Sequence, residues 1–333
     1  MNAPSDQLFH TSSLLTFQDR WDHFTARLGW QRTTRHRVSP GLYAIGDPKP
    51  ESPVFVTANY TLSFDAVRLA LKGMDAYILV LNTKGINVWC AAGKGSFGTF
   101  ELARRIEQTE LAKVVSHRML ILPQLGASGV SAHEVKKQTG FLVKYGPVRA
   151  EDIPEYIKTG EATPKMRQVS FDLQDRSVLI PVELVSLFLP MIAAGIIFFF
   201  LSGWLGVGAV AATVWGVPIL FFLLFPWIPT KDFSTKGFLV GLLLALPFAI
   251  STFLSHDSNI WFGLLKAIPF LLAMPAVGGF ISLNFTGSSP VASRTGVKKE
   301  IFRYIPVMAW LAGISLVIFL ASAILNWIGV THV

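Results

Sequence analysis

Residues 75–95 read DAYILVLNTKGINVWCAAGKG. The first eight, DAYILVLN, are an unbroken apolar run of strand length, the pattern of a strand buried on both faces of a parallel sheet. A polar, Gly-bearing turn follows, and then Cys90, the lone cysteine of the 333-residue chain. Outward from this stretch the alternation of strand and helix continues. SPVFVTA (52–58) is a short β-rich run. TLSFDAVRLALKG (61–73) has a Thr start, apolar residues at helical spacing and a Gly stop, and so reads as a capped helix. Further helices are expected over 99–110, 130–140 and 149–160, and further strands over 113–123 and 141–146. Four successive βα units imply an open parallel α/β sheet of Rossmann or flavodoxin kind. This domain is expected at 51–165, with 1–50 as an N-terminal extension and 166–179 as a linker.

Open α/β sheets bind ligands outside the carboxyl ends of their strands. The loops expected there are Ala58–Asn59–Tyr60, Asn82 through Gly98, Pro123–Gln124–Leu125–Gly126–Ala127, and Gly146–Pro147–Val148–Arg149. The longest carries Cys90.

The remainder of the chain is different. Hydrophobic residues make up 51% of the sequence and charged residues only 15%, and most of the charge lies before residue 177. Five apolar stretches follow, at about 180–201, 204–226, 237–255, 260–284 and 304–328. Each is long enough to cross roughly 30 Å of hydrocarbon as a helix. An all-α transmembrane domain over 180–333 is expected. The second inter-helix loop holds Lys231 and Lys236, and the fourth holds Arg294, Lys298, Lys299 and Arg303; the first and third hold no Lys or Arg. By the positive-inside rule the even loops and the α/β domain face the cytoplasm, and the tail after Gly329 lies outside. The chain is thus expected as a multi-pass protein of the cytoplasmic (inner) membrane. Lys266 is the main ionisable residue at bilayer depth, and a transport role would depend on it; an anchor and docking platform is the simpler reading.

The opening MNAPSDQLFHTSSLLTFQDRWDHF lacks a basic region followed by an apolar stretch, so no secretory signal is expected. The net charge is +8, but the basic residues are scattered. Only RTTRHR (32–37) is concentrated, and it reads as a solvated or headgroup-facing turn rather than a nucleic-acid site.

Three kinds of chemistry can be asked of the Cys90 loop. Gly93–Lys94–Gly95–Ser96 is not a phosphate loop, because Lys94 is followed by Gly and position 88 is Val rather than Gly. No G-x-G-x-x-G follows the first strand either. A nucleophilic cysteine would need a base, and His117 and His133 are available, though neither sits in a signature context. A metal ligand is the third option. One thiolate is too little for zinc or an Fe–S cluster held by this chain alone, and the chain can form no internal disulfide. It suffices for a metal that brings its own equatorial ligands, such as the cobalt of a corrinoid. Burial as a small hydrophobe, or service as a redox switch in a ligand-sensing domain, remain alternatives.

Asn87–Val88–Trp89–Cys90–Ala91–Ala92–Gly93–Lys94 resembles the cap-helix motif of the corrinoid mercury methyltransferases, the HgcA family. The resemblance continues in VTANYTLSFDAVR (56–68), VVSHRMLILPQLGASGVSAHEV (114–135) and YGPVRAEDI (145–153), and in the layout of a corrinoid domain followed by five membrane helices. Ser128 departs from the family's LGAPGV, which has Pro there. The resemblance implies a Rossmann-like domain, related to the corrinoid domain of the acetyl-CoA pathway corrinoid iron–sulfur protein. It implies a corrinoid whose cobalt takes Cys90 as lower axial ligand, and transfer of a methyl group to Hg(II). The D-x-H-x-x-G signature of His-ligated cobalamin domains is absent from the sequence, in keeping with a base-off corrinoid. Residues implied at the cofactor are Asn59, Tyr60, Asn87, Val88, Trp89, Cys90, Ala91, Ala92, Gly93, Lys94, Pro123, Gln124, Leu125, Gly126, Gly146 and Pro147. The small Ala and Gly residues would let the ring approach, and Trp89 would pack the helix down. Implied partners are a methyl-folate pathway protein as donor and a ferredoxin-like protein with two [4Fe–4S] clusters as reductant. Hg(II) prefers thiolates. With the lone thiol committed to cobalt, mercury is expected to arrive on partner cysteines.

Overall fold

The structure is a computed structural model, and it describes residues 8–29, 35–255, 260–289 and 292–328. The chain divides into two compact units, residues 1–169 and 170–333. In the first unit the elements are β1 (Leu8–Thr11), α1 (Phe17–Arg27), β2 (Gly41–Ile45), β3 (Val54–Ala58), α2 (Thr61–Ala70), β4 (Ala76–Leu81), α3 (Val88–Lys94), α4 (Thr99–Gln108), α5 (Leu111–Val114), β5 (Met119–Leu122), α6 (Ala132–Thr139), β6 (Leu142–Tyr145) and α7 (Ile153–Thr159). The strands form one six-stranded sheet in the order β1-β2-β4-β3-β5-β6.

DAYILVLN is the two-faced strand its composition predicts. Tyr77, Leu79 and Leu81 enter one core with Val54, Val56 and Ala58 of β3. Ala76, Ile78 and Val80 enter the other with Phe55. Successive residues of a strand point to opposite faces, so an apolar run without alternation requires cover on both sides. Residues of α3, α4 and α6 cover the first face, and residues of α2 and α7 the second. Each fully buried Leu or Ile here contributes roughly 1.5–3 kcal/mol.

Three expectations are corrected. The segment 1–50 is not an extension outside the domain: β2 pairs antiparallel with β4, and β1 pairs parallel with β2. The sheet is therefore mixed rather than all parallel. Phe9 stacks on Tyr43 at 4.9 Å between ring centroids, which closes the β1 edge. The strand expected over 113–123 is confined to Met119–Leu122, and residues 111–114 form a helical turn instead. The Arg118 guanidinium explains the turn, because it donates to the carbonyls of Val115 and Ala112 and satisfies groups a ladder would otherwise take.

The N-terminal segment is also held by buried charge. Asp65 on α2 lies 2.6 Å from Arg68 Nε and 2.5 Å from His23 Nε2 of α1. Arg68 reaches Asp19 at 3.0 Å and donates to the carbonyls of Ser12 and Leu14. Burial works against the Arg68 charge, and its bonds to Asp65 and Asp19 more than offset this, so its pKa lies above the ordinary arginine value.

The second unit is helical: α8 (Leu173–Ser177), α9 (Leu179–Ser186), α10 (Phe188–Ala211), α11 (Val217–Leu224), α12 (Phe233–Leu254), α13 (Ile260–Asn284) and α14 (Arg294–Trp327). Four apolar helical tracts among the described residues are long enough to cross a membrane: Phe188–Leu224, Phe233–Leu254, Ile260–Gly287 and Thr295–Leu325. The expected pair 180–201 and 204–226 falls within α9 and the first tract, which reverses inside α10. Gly203 has φ 59° and ψ −151°. Trp215 Nε1 donates to the Leu184 carbonyl at 3.3 Å, and its ring stacks on Phe188. A straight helix would hold Trp215 about 40 Å from Phe188 and about 46 Å from Leu184.

Two loop assignments also change. The fourth loop was expected up to Arg303, but α14 begins at Arg294, so Lys298 and Lys299 are helical. Lys236 is buried inside α12, where it donates to the Phe225 and Ile228 carbonyls beyond α11. It satisfies groups that a helix end leaves open. Between α12 and α13, Gly237, Gly241 and Gly278 permit backbone contact; a Cβ on Gly241 would stand 2.6 Å from the Met274 carbonyl. The expected external tail after Gly329, the loop at 256–259 and residues 32–34 of RTTRHR lie outside the described residues.

Candidate functional site

Strands β4, β3, β5 and β6 run parallel, so their four following loops share one edge of the sheet. The chain moves from β3 to β4 on one side and then crosses to β5 on the other. The switch point, and the crevice that goes with it, lies outside the carboxyl ends of β3 and β5.

α3 covers this point. Asn87 caps it, with the side-chain oxygen accepting from Cys90 N–H at 2.9 Å, and Gly95 ends it with φ 81°. Val88, Ala91 and Ala92 are buried in the same core as Ala58 and Leu122, the last residues of β3 and β5. Trp89 and Cys90 are half-buried, and Gly93 and Lys94 are exposed. The motif therefore splits by face. Ala91 and Ala92 do not present a small surface to a ligand; they let the helix sit close on the domain. Cys90 and Gly93 share the outward face one turn apart. No partner for the Cys90 thiol is found among the described residues, and it is a free cysteine.

The neighbouring loops are fitted to α3. A Cβ on Gly129 would overlap the Phe97 carbonyl and stand 2.9 Å from Ala92 Cα. A Cβ on Gly126 would lie 2.6 Å from the Phe97 ring. The 123–129 loop thus presses backbone against backbone on α3, which only glycine permits. Gln124 N–H donates to the Pro147 carbonyl, and Tyr145 Oη donates to the Val130 carbonyl at 2.5 Å, tying the third and fourth loops together. Burial pushes the Tyr145 hydroxyl above its ordinary pKa, so it stays a donor. Ser128 is exposed on this loop.

Asn59, implied at the cofactor, is engaged inside the domain. It is 3% exposed, and its Oδ1 accepts from Thr83 N–H, Gly85 N–H and the Thr83 hydroxyl at 2.9–3.0 Å. It fastens the first loop to the turn before α3. Tyr60 begins α2 and is half-buried. Thr83, Phe97 and Gly129 were not singled out from sequence; the Gly126-x-x-Gly129 spacing after a strand was the available signal. His117 precedes β5, at the opposite edge from Cys90, and accepts from Met119 N–H. His133 is 86% exposed on α6, beside Glu134. Neither is hydrogen-bonded to Cys90.

Asn87→Ala should remove the cap and cost about 1 kcal/mol. Faster amide exchange over 88–94, with exchange in β4 unchanged, is the expected reading.

Residues 31–157 match the family described as the CO dehydrogenase/acetyl-CoA synthase delta subunit, CdhD. The similarity lies within the α/β domain. The chain is 36% identical over 124 residues to the acetyl-CoA decarbonylase/synthase complex subunit gamma of Archaeoglobus fulgidus, covering 37% of this chain and 26% of that one. It is 35% identical over 123 residues to the Methanopyrus kandleri subunit gamma, covering 36% and 26%. It is 26% identical over 162 residues to the corrinoid/iron–sulfur protein large subunit of Moorella thermoacetica, covering 46% and 36%. The chain spans about a quarter of the length of the subunits gamma it matches. The 31–157 match contains all four loops of the crevice.

The donor set can be tested against a corrinoid. Among the described residues no three His, Cys, Asp or Glu side chains gather to hold a metal. A metal at Cys90 must bring most of its own ligands, as a corrinoid's cobalt does. Gln124 Oε1 is buried at the crevice without a hydrogen-bond partner, an acceptor left for a polar ligand edge. Both features fit the group.

Proposed function

We propose that this chain is a membrane-anchored corrinoid protein that carries a methyl group and passes it to Hg(II). The observation that carries the reading is Cys90, outward and unpartnered on α3 over the switch point, within the region that matches acetyl-CoA synthase subunits. The relatives support a methyl-carrying corrinoid protein; the NVWCAAGK motif is what favours mercury as acceptor. A corrinoid bound here supplies a cobalt centre able to take up, hold and give up a methyl group.

The chain's own residues then have distinct tasks. Cys90 would hold the metal through its thiolate, an electron-rich donor that favours oxidised cobalt and so eases loss of the methyl toward an electrophilic metal ion. Asn87, Trp89, Gly93 and Lys94 would line the part of α3 that holds the group beside Cys90. Gln124 would accept from a ring amide, and Leu125, Gly126, Gly146, Pro147, Pro123 and Tyr60 would form the rim. Val88, Ala91, Ala92 and Asn59 would act indirectly, by fixing α3 and the turn before it.

Because the thiolate would be spent on cobalt, Hg(II) would come from cysteines of a ferredoxin-like partner with two [4Fe–4S] clusters, which would also return the reducing equivalents. A methyl-folate pathway protein would supply the methyl group. The helical unit would anchor the chain in the cytoplasmic membrane, with the α/β domain on the cytoplasmic side.

The test is the full chain loaded with methylated corrinoid and offered Hg(II) with and without the partner. Methylmercury formed only with the partner present is expected. Tight, specific Hg(II) binding by the loaded chain alone would overturn the delivery step. Transfer to thiols or other acceptors with none to Hg(II) would overturn the choice of acceptor and leave the corrinoid role standing.

A further inference from the structure

α1 presents an apolar face that the α/β domain does not use. Thr16 caps the helix, its hydroxyl accepting from Asp19 N–H while the Asp19 carboxylate accepts from Thr16 N–H, so the helix start is fixed. Phe17, Trp21 and Phe24 then follow at helical spacing, 83%, 50% and 54% exposed, and Leu14 before them is 69% exposed. The Trp21 and Phe24 rings lie 5.6 Å apart. Three aromatic residues at i, i+4 and i+7 make one face. Scattered exposed apolar residues are ordinary, but a contiguous aromatic stripe marks a contact surface.

The charges of the helix are sorted around that stripe. Its acidic groups are engaged toward the domain, Asp19 with Arg68 and Asp22 with His36. Its basic groups, Arg20 and Arg27, are exposed beside the aromatics, and Arg35 is exposed a few residues beyond. We infer that α1 is an interfacial helix that seats the α/β domain on the anionic surface of the membrane entered by the chain's own helical unit. Aromatic rings belong at headgroup depth, and flanking arginines meet lipid phosphates. A protein surface is the less favoured occupant, because a short convex stripe rimmed by cations matches a planar anionic surface without needing a shaped pocket. Covalent attachment to the helical unit raises the effective concentration of lipid at the stripe, so a single short helix suffices. The inference rests on the reading of the helical unit as membrane-embedded.

The experiment uses the full chain in nanodiscs. A fluorescent thiol label is placed by Phe17→Cys or Trp21→Cys in a Cys90→Ser background, with Lys113→Cys, at a residue whose side chain is 73% exposed, as the control. Discs of phosphatidylcholine alone are compared with discs that include phosphatidylglycerol. Labels at 17 and 21 should lose iodide quenching and gain quenching by lipid-borne nitroxide, more so with phosphatidylglycerol, while the label at 113 stays open to iodide. Arg20→Glu with Arg27→Glu should remove the dependence on phosphatidylglycerol. Equal iodide quenching at 17, 21 and 113 in both discs would overturn the inference. So would shielding that appears only when a second protein is added. Failure of the chain to enter discs at all would instead sink the membrane reading, and this inference with it.

Discussion

On the proposed function, Cys90→Ala should lower methyl transfer to Hg(II) by more than about 100-fold, the scale reached by disturbing even the residues that support a metal ligand. The fold should survive. Cys90 is half-buried on the outward face of α3, and Ala is the best helix former, so folding free energy should move by less than about 0.5 kcal/mol. The Cys90 N–H that meets Asn87 is unaffected, because it belongs to the backbone. Two measurements are needed together: the absorption spectrum of the corrinoid-loaded chain, and thermal unfolding of the same sample. Loss of the thiolate-ligated band with unchanged unfolding is the expected pair. An unchanged spectrum would sink the ligand assignment. Cys90→His should keep a ligand but give a different spectrum and altered transfer. Thiol labelling separates the redox-switch alternative, since a switch leaves Cys90 reactive in corrinoid-loaded protein and a cobalt ligand is shielded.

The second large effect concerns stability. Asp65→Ala should destabilise the α/β domain by about 3–5 kcal/mol, because it leaves the Arg68 guanidinium buried and short of its partner. His23 loses its partner in the same step, so the loss should fall first on residues 8–29. Hydrogen exchange resolved by segment would show α1 opening ahead of β3 and β4. The exposed pair Lys113–Glu110 is the contrast: at 73% and 44% exposure, Lys113→Ala should cost less than about 1 kcal/mol. Similar losses for both would show that Asp65 is not holding α1.

The same lock has a pH dependence. Burial raises the Asp19 pKa, but hydrogen bonds from the Thr16 N–H, Arg68 and the Thr16 hydroxyl outweigh this and hold it below the ordinary carboxylate value. A pKa lowered by folding adds stability above the unfolded value, about pH 4, and that contribution is lost as pH falls through the folded value. Opening of α1 should therefore rise on acidification below about pH 4.

DAYILVLN could be read as a two-faced strand because burial of every residue demands an unbroken apolar run, and Ile78 and Leu79 do go to opposite cores. The position of Cys90 at the carboxyl edge of the parallel strands followed from strand order alone. The NVWCAAGK motif was likewise complete in one continuous stretch. Local sequence could not say which face of α3 each motif residue takes. Ala91 and Ala92 look like a surface made small for a ligand, yet neighbours far along the chain draw them into the core. Nor could it show that residues 1–50 join the sheet, since β1 and β2 are short and carry no alternation, and α1 is fixed by a His23–Asp65 contact across 42 residues. The break at Gly203 falls in the gap expected between 180–201 and 204–226, and the contacts of Trp215 with Leu184 and Phe188 show that the chain reverses there. Periodicity and motif record what a residue's immediate surroundings demand, so strand, helix and the lone thiol were determined by sequence. Facing, docking and charge pairing depend on which distant residue arrives opposite, and those the tertiary structure decided.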